Sequence, residues 1–207
     1  MTEALSPTQR VLYQAIRERR SIRRYEPRPI PRAVLVRLLE AAMWAPSAHN
    51  RQPWRFVVLT RKADKQRLAR AMGRQLRADR RADGVDEAMI AQDAQRSYKR
   101  LTGAAALVLI CLTMADMDQY PDERRQTCEH IMAVQGVAMA AQNLLLAAHV
   151  EGLGGVWMCA PLFCQDVVRS ALDLPPDYEP QGVIALGYPA ERRQKSRKPL
   201  ETRVMFR

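Results

Sequence analysis

"VQGVAMAAQNLLLAAHV", residues 134–150, decides how this chain folds. Its side chains are apolar or small on nearly every side. A helix of that composition must be covered all round, so it belongs at the centre of the molecule. The pattern runs back to about Pro121 through "DERRQTCEHIMA", and the glycines at 152, 154 and 155 break it. Gly136, Ala138, Ala140 and Ala141 also let a second helix approach closely. Two readings stand: a helix central to one core, or a central helix that also forms a dimer interface.

Around this helix the other elements alternate. Ser6-Pro7 before "TQRVLYQAIRERR" predicts a capped helix with proline in its first turn, ending near Arg20. "YEPRPIP" cannot be helical, because each proline lacks a donor and restricts its predecessor. A second helix starts at Pro31, repeats Val34, Leu35, Leu38, Leu39, Ala42 and Met43 at helical period, and stops at Pro46. "WRFVVLT" (54–60), "AAALVLICLT" (104–113) and "QGVIALGYP" (181–189) predict strands, the last two buried on both faces. "GVWMCA" predicts a short strand or extended loop, and "CQDVVRSALDL" a short helix. Residues 62–100 have helical composition, a break at Asp83-Gly84 and a weak core face, as expected of two surface helices or a partly mobile cover. The order predicts an α+β or α/β sandwich, a mixed sheet with helices on both faces.

The 207 residues suffice for one domain, 1–207, that buries about 70% of its unfolded surface. No uninterrupted apolar run approaches the ~20 residues a membrane span needs. "MTEALSPTQRVLYQ" carries no leader core, so the expected location is the cytoplasm. The net charge of +11 admits anionic partners, but the cations are dispersed and no nucleic-acid-binding motif accompanies them. Nucleic acid is therefore not an expected partner. Cys111, Cys128, Cys159 and Cys164 form no C-x-x-C, and the three histidines are far apart in sequence, so no metal site is expected.

Three polar stretches could hold a ligand. "RRSIRRYEPRPIP" (19–31) gathers four arginines around one serine and suits a phosphate as well as it suits a solvated helix end. "WAPSAHNRQPWRFVVL" (44–59) leads a loop with Ser47, His49, Asn50, Arg51 and Gln52 into a buried strand. Its amides can offer donor and acceptor together to a heterocycle. In "KSRKP", Lys195 and Arg197 alternate, so an extended tail points both to one face. The glycines at 152–155 follow a helix instead of opening one, which argues against a dinucleotide fingerprint or a P-loop.

Taken in order, "RRSIRRY", "APSAHNRQPWRFVVL", "EGLGGVWMCAPLF", "VIALGYP" and "KSRKPL" closely resemble the nitroreductase-like family of FMN-dependent oxidoreductases, from Arg19 to Leu200. The resemblance implies an α+β sandwich with a mainly antiparallel sheet and the long helix at a homodimer interface. It implies bound FMN, reduced by transient NAD(P)H and reoxidised by a small organic acceptor such as a nitroaromatic, quinone or enone in a ping-pong cycle. Carried over, Arg19, Arg20 and Ser21 grip the phosphate and ribityl end, and Arg23 lies toward the pyrimidine edge. Lys195 and Arg197 match the late basic pair at the phosphate. Pro46, Ser47, Ala48, Asn50 and Gln52 match a loop that closes over the flavin of the partner protomer. Met158, Cys159 and Ala160 match the segment whose backbone approaches flavin N5; Cys159 and Ala160 depart from the usual Gly or Glu. No catalytic side chain is implied. "LFCQDVVRSALDLPPDYEPQGVIALGYP" is further similar to the reductase domain fused to a glutamyl ligase in deazaflavin cofactor biosynthesis, which implies the alternative of a flavin- or deazaflavin-binding module or a reductase of that metabolism.

Overall fold

A computed structural model describes residues 5–207. The start of the N-terminal stretch read above for a leader, residues 1–4, lies outside the described residues. Helix α1 spans Pro7–Glu18, α2 Arg32–Met43, α3 Lys62–Ala82, α4 Glu87–Thr102, α5 Glu123–Val150 and α6 Gln165–Leu172. Strand β1 is Trp54–Leu59, β2 Ala106–Leu112, β3 Gly154–Met158 and β4 Glu179–Gly187. The strands form one sheet in the order β1-β2-β4-β3, antiparallel at every pairing. A parallel bridge, Ser21 to Gly155, adds the segment after α1 to the outer edge of β3.

The sheet separates two apolar layers. Along β2, Ala106, Val108, Ile110 and Leu112 face the layer built with α2 and α5. Leu107, Leu109 and Cys111 face the opposite layer, built with α3, α4 and α6. Alternation at period two thus serves two cores, which is why the strand reads as a continuous apolar run.

Local signals act where expected. Ser6 caps α1 by accepting from the Gln9 N–H, and Gln9 returns the bond to the Ser6 N–H. The helix ends at Glu18, leaving Arg19 and Arg20 in extended backbone beyond it.

Two sequence readings are revised. The 62–100 region forms two helices, as expected, but its inner face is well packed: Leu68, Ala69, Met72 and Leu101 enter the second core. Even Lys65 is buried there, its ammonium donating to the carbonyls of Ala104 (2.6 Å) and Ala105 (3.3 Å). The many arginines on the outer faces mask this apolar stripe in the sequence. The second revision concerns α5, which is not covered all round within one chain. Ala133, Val137, Ala140, Ala141, Leu144 and Ala148 are buried, whereas Ile131, Gln135, Ala138, Met139 and Gln142 form an exposed stripe. By length and composition α5 could cross a membrane, yet 44% of its most apolar window is buried in the fold, as in a core helix.

Candidate functional site

The segment after α1 is pinned to the end of the sheet. The Ile22 N–H donates to the Gly155 carbonyl at 3.1 Å. A Cβ on Gly154 would stand 2.7 Å from that of Ile22, so glycine permits the close approach. Tyr25 is bridged to Pro189, and its hydroxyl lies 2.6 Å from Ile22 O and 2.9 Å from Ala185 O. Burial raises the Tyr25 phenol well above its ordinary range, so it stays neutral.

This anchoring aims the arginines at a cleft of about 420 Å³ beside the C-terminal end of α5. Arg19, Arg20, Leu145, His149, Gly155 and Arg192 contribute to its wall. The Arg19 guanidinium is pushed below its ordinary value, first by burial and then by Arg197 and Arg20. Arg20 donates through Nη1 to the Arg19 carbonyl at 2.9 Å and also to that of Arg17, but its buried Nε has no partner. Three mutually repelling guanidiniums and a free buried donor make a site short of negative charge. A phosphate dianion supplies the missing charge and acceptors, so the residues fit a phosphorylated cofactor. Ser21, between Arg20 and Ile22 of that wall, is bridged to Gly155.

Glu191, which sequence reading did not single out, organises the neighbouring charges. Its burial alone would raise its pKa, but hydrogen bonds from Arg193 and from the N–H groups of Arg23 and Arg24 hold the carboxyl below the usual range. The Arg23 N–H donates to Glu191 Oε1 at 2.7 Å, and Arg193 donates to Oε2 at 2.9 Å. Glu191 is thereby occupied and leaves Arg19 and Arg20 unneutralised.

Arg23 points toward α4, where it meets Arg100. Burial pushes the Arg100 guanidinium below its ordinary value, with Arg23, Arg96 and Arg193 adding repulsion. Arg100 was also missed in the sequence: it lies at the end of a helix crowded with cations, and only the fold sets it beside Arg23. Arg96 and Arg100 continue into a cleft of about 470 Å³ whose wall includes Ser97, Ala160 and Phe163. Met158 ends β3, and the exposed Cys159 accepts a hydrogen bond from Trp157 Nε1 at 2.8 Å. From Gly155 to Met158 the strand advances ~10 Å, and Ala160, two residues past its end, lines the second cleft, so β3 leads from the arginine cleft toward the Ala160 cleft.

The loop 46–52 is placed elsewhere. The Ser47 hydroxyl accepts from the Gln52 N–H at 3.0 Å, and Gln52 Nε2 reaches the Asn50 side chain at 3.4 Å. His49, Asn50 and Gln52 hold positive φ values of 48°, 54° and 51°, uncommon for residues other than glycine. The loop rests on the middle of α5, where a Cβ on Gly136 would stand 3.4 Å from Ser47 Cβ. Leu145 and His149, nine and thirteen residues on, line the arginine cleft. At 1.5 Å per residue these contacts lie ~14–20 Å apart along the helix. Within one chain, then, Pro46, Ser47, Ala48, Asn50 and Gln52 do not join the wall of the arginine cleft. Of the late basic pair, Arg197 acts on Arg19, while Lys195 is exposed on the tail and makes no hydrogen bond or ion pair among the described residues.

Comparison with known proteins places this geometry. An NADH dehydrogenase of Thermus thermophilus is 35% identical over 202 residues, covering 92% of this chain and 93% of its own. A crystal structure from Desulfovibrio desulfuricans, in complex with FMN, is 29% identical with a TM-score of 0.74, covering 99% and 98% of the two chains. A BluB-like flavoprotein of Clostridium difficile shares the fold at 21% identity, with a TM-score of 0.78 over 94% of this chain and 98% of its own. The Nitroreductase family model matches residues 16–188, from the end of α1 to the close of β4, and the chain belongs to the nitroreductase family.

Proposed function

We propose that this chain is a flavoenzyme that holds FMN and uses NAD(P)H to reduce a small organic acceptor. The observation that carries the reading is the closeness of Arg19, Arg20 and Arg197, none of which enters an ion pair among the described residues, and the unpartnered Arg20 Nε, although Glu18 and Glu191 share the cleft wall. Together they would hold the phosphate, with Ser21 beside the ribityl chain. β3 then guides an elongate ligand from Gly155 to the Ala160 cleft, where the backbone of Met158–Ala160 meets the ring. FMN, when bound, supplies hydride chemistry that no side chain of the protein can. Arg23 and Arg100 stand where they stabilise negative charge at the pyrimidine edge, and their fixed position costs no reorganisation during the reaction. No side chain need act as nucleophile or obligatory acid. The acceptor, a nitroaromatic, a quinone or an enone, enters the same opening as the donor.

A second copy completes the site in this reading. Loop 46–52 lies away from its own arginine cleft, and the exposed stripe of α5, from Ile131 through Ala138 and Met139 to Gln142, offers a face for pairing, whereas Gly136, Ala140 and Ala141 are buried within the chain. Across a two-fold axis the loop of one protomer covers the cleft of its partner, giving a homodimer with two sites. We place the protein in the reducing cytoplasm, which keeps its four cysteines as thiols.

The test is spectroscopic. The purified protein, or the protein incubated with FMN, should carry flavin absorbance, and anaerobic NADH or NADPH should bleach it. A protein that takes up no FMN, or whose bound flavin neither donor reduces, contradicts the proposal.

A further inference from the structure

A third cleft, of about 580 Å³, is lined by both Arg23 and Arg100. Six cations line it, Arg23, Arg24, Arg96, Lys99, Arg100 and Arg193, and no carboxylate belongs to its wall. Arg96, Lys99 and Arg100 share one face of α4, at spacings of three and four residues. The segment tied to Pro189 brings Arg23 and Arg24 against that face, and Glu191 sets Arg193 beside them. Arg96 pairs with Asp93 and Arg193 with Glu191, but Arg23, Arg24, Lys99 and Arg100 enter no ion pair among the described residues. The fold thus holds like charges together around an open space, an arrangement that disfavours itself until an anion enters.

We propose that this cleft is a subsite for a phosphomonoester dianion on the nicotinamide donor, so that the enzyme takes NADPH in preference to NADH. The inference rests on the flavoenzyme reading and adds the donor's identity to it. Arg96 and Arg100 line this cleft and the Ala160 cleft alike. A donor whose nicotinamide lies in the Ala160 cleft can therefore extend its charged end past these two residues. Both nicotinamide nucleotides carry a diphosphate; NADPH alone adds a 2′-phosphomonoester. With Arg23 and Arg100 facing the flavin, and Arg96 and Arg193 paired, Arg24 and Lys99 are the cations left for a further phosphate, and the planar guanidinium of Arg24 matches the paired oxygens of a phosphomonoester.

The test uses the FMN-loaded protein in phosphate-free buffer, as wild type and as the double variant Arg24→Gln/Lys99→Gln. Neither residue belongs to the proposed FMN set, and neither side chain enters an ion pair among the described residues. Calorimetric titration with adenosine 2′,5′-bisphosphate and adenosine 5′-monophosphate reads the subsite without turnover. Anaerobic bleaching by NADPH and NADH reads it in the reaction. Wild type should bind the bisphosphate about tenfold more tightly than the monophosphate, and show a similar NADPH-to-NADH ratio in kcat/KM, as one or two charge-assisted contacts imply. In the variant both ratios should fall to about twofold or less, with flavin absorbance retained. Should the double variant fail to fold, Arg24→Gln alone should lower both ratios by about threefold, in proportion to the charge removed. Equal kcat/KM for the two donors in wild type, or ratios unmoved in a folded variant, would overturn the proposal. Failure of the flavoenzyme reading looks different: flavin absorbance is missing before any donor is added.

Discussion

Arg197, in the C-terminal tail, stands close enough to Arg19, at the end of α1, to lower the proton affinity of that half-buried guanidinium. The C-terminal tail thus meets the end of α1 where the phosphate is proposed to bind. Arg197→Ala should weaken FMN affinity by about tenfold or more, the worth of one charge-assisted contact, while the unfolding midpoint stays near wild type. Riboflavin, which lacks the phosphate, should bind wild type weakly and be little affected by the substitution. Fluorescence titration of the apoprotein checks both. Equal affinity of wild type for riboflavin and FMN would remove the phosphate from this site.

Gly182 on β4 faces the Trp157 indole on β3 so closely that a Cβ would stand 2.4 Å from Trp157 Cζ2. Gly182→Ala must therefore displace the ring, and overpacking of this kind costs about 1–3 kcal/mol. The displaced indole also pulls on Cys159, its hydrogen-bond acceptor, and so on the end of the proposed FMN site. Urea unfolding should show the loss, with a shifted tryptophan emission in the native state. A variant with wild-type midpoint and emission would mean that β3 and β4 pack otherwise.

Cys111 lies near the end of β2 with no exposure, and burial pushes its thiol up to about 12. Thiolate is the reactive form, so at pH 8 only about one part in ten thousand is available. The sign of the shift means that raising the pH toward 9 leaves Cys111 inert, while Cys159 is exposed to the reagent. Alkylation followed by peptide mapping should label Cys159 in the folded protein and Cys111 only on unfolding. Comparable labelling of the two at pH 8 would contradict the packing of the sheet.

Much of the fold is legible in the chain because the signals are local. Ser6-Pro7, the prolines at 27–31 and the apolar run of β2 each act through their own backbone or periodicity. The inner face of α3 and α4 is less so, since Leu68, Met72 and Leu101 sit among arginines that face solvent on the same helices. Motif order points to Arg19, Arg20 and Arg197, which the fold brings together at the proposed phosphate end of the site. Arg100 and Glu191 are another matter: neither neighbours Arg23 in sequence, and each matters only because the fold brings it there. The loop 46–52 has the composition of a ligand grip, but sequence cannot show that it rests on α5 at Gly136, away from its own cleft.

That separation is the basis of the central claim, that each FMN site draws its arginines from one protomer and its 46–52 loop from the other. Arg19→Ala and Asn50→Ala should each abolish activity as homodimers. In a mixed dimer both lesions fall on one site, and the other receives Arg19 and Asn50 in native form from the two chains. Mixed dimers isolated through two different affinity tags should therefore regain up to about half of the wild-type activity, with one FMN bound per dimer. Mixed dimers that form but bind no FMN, or a wild-type protein that is active as a monomer, would contradict the shared site.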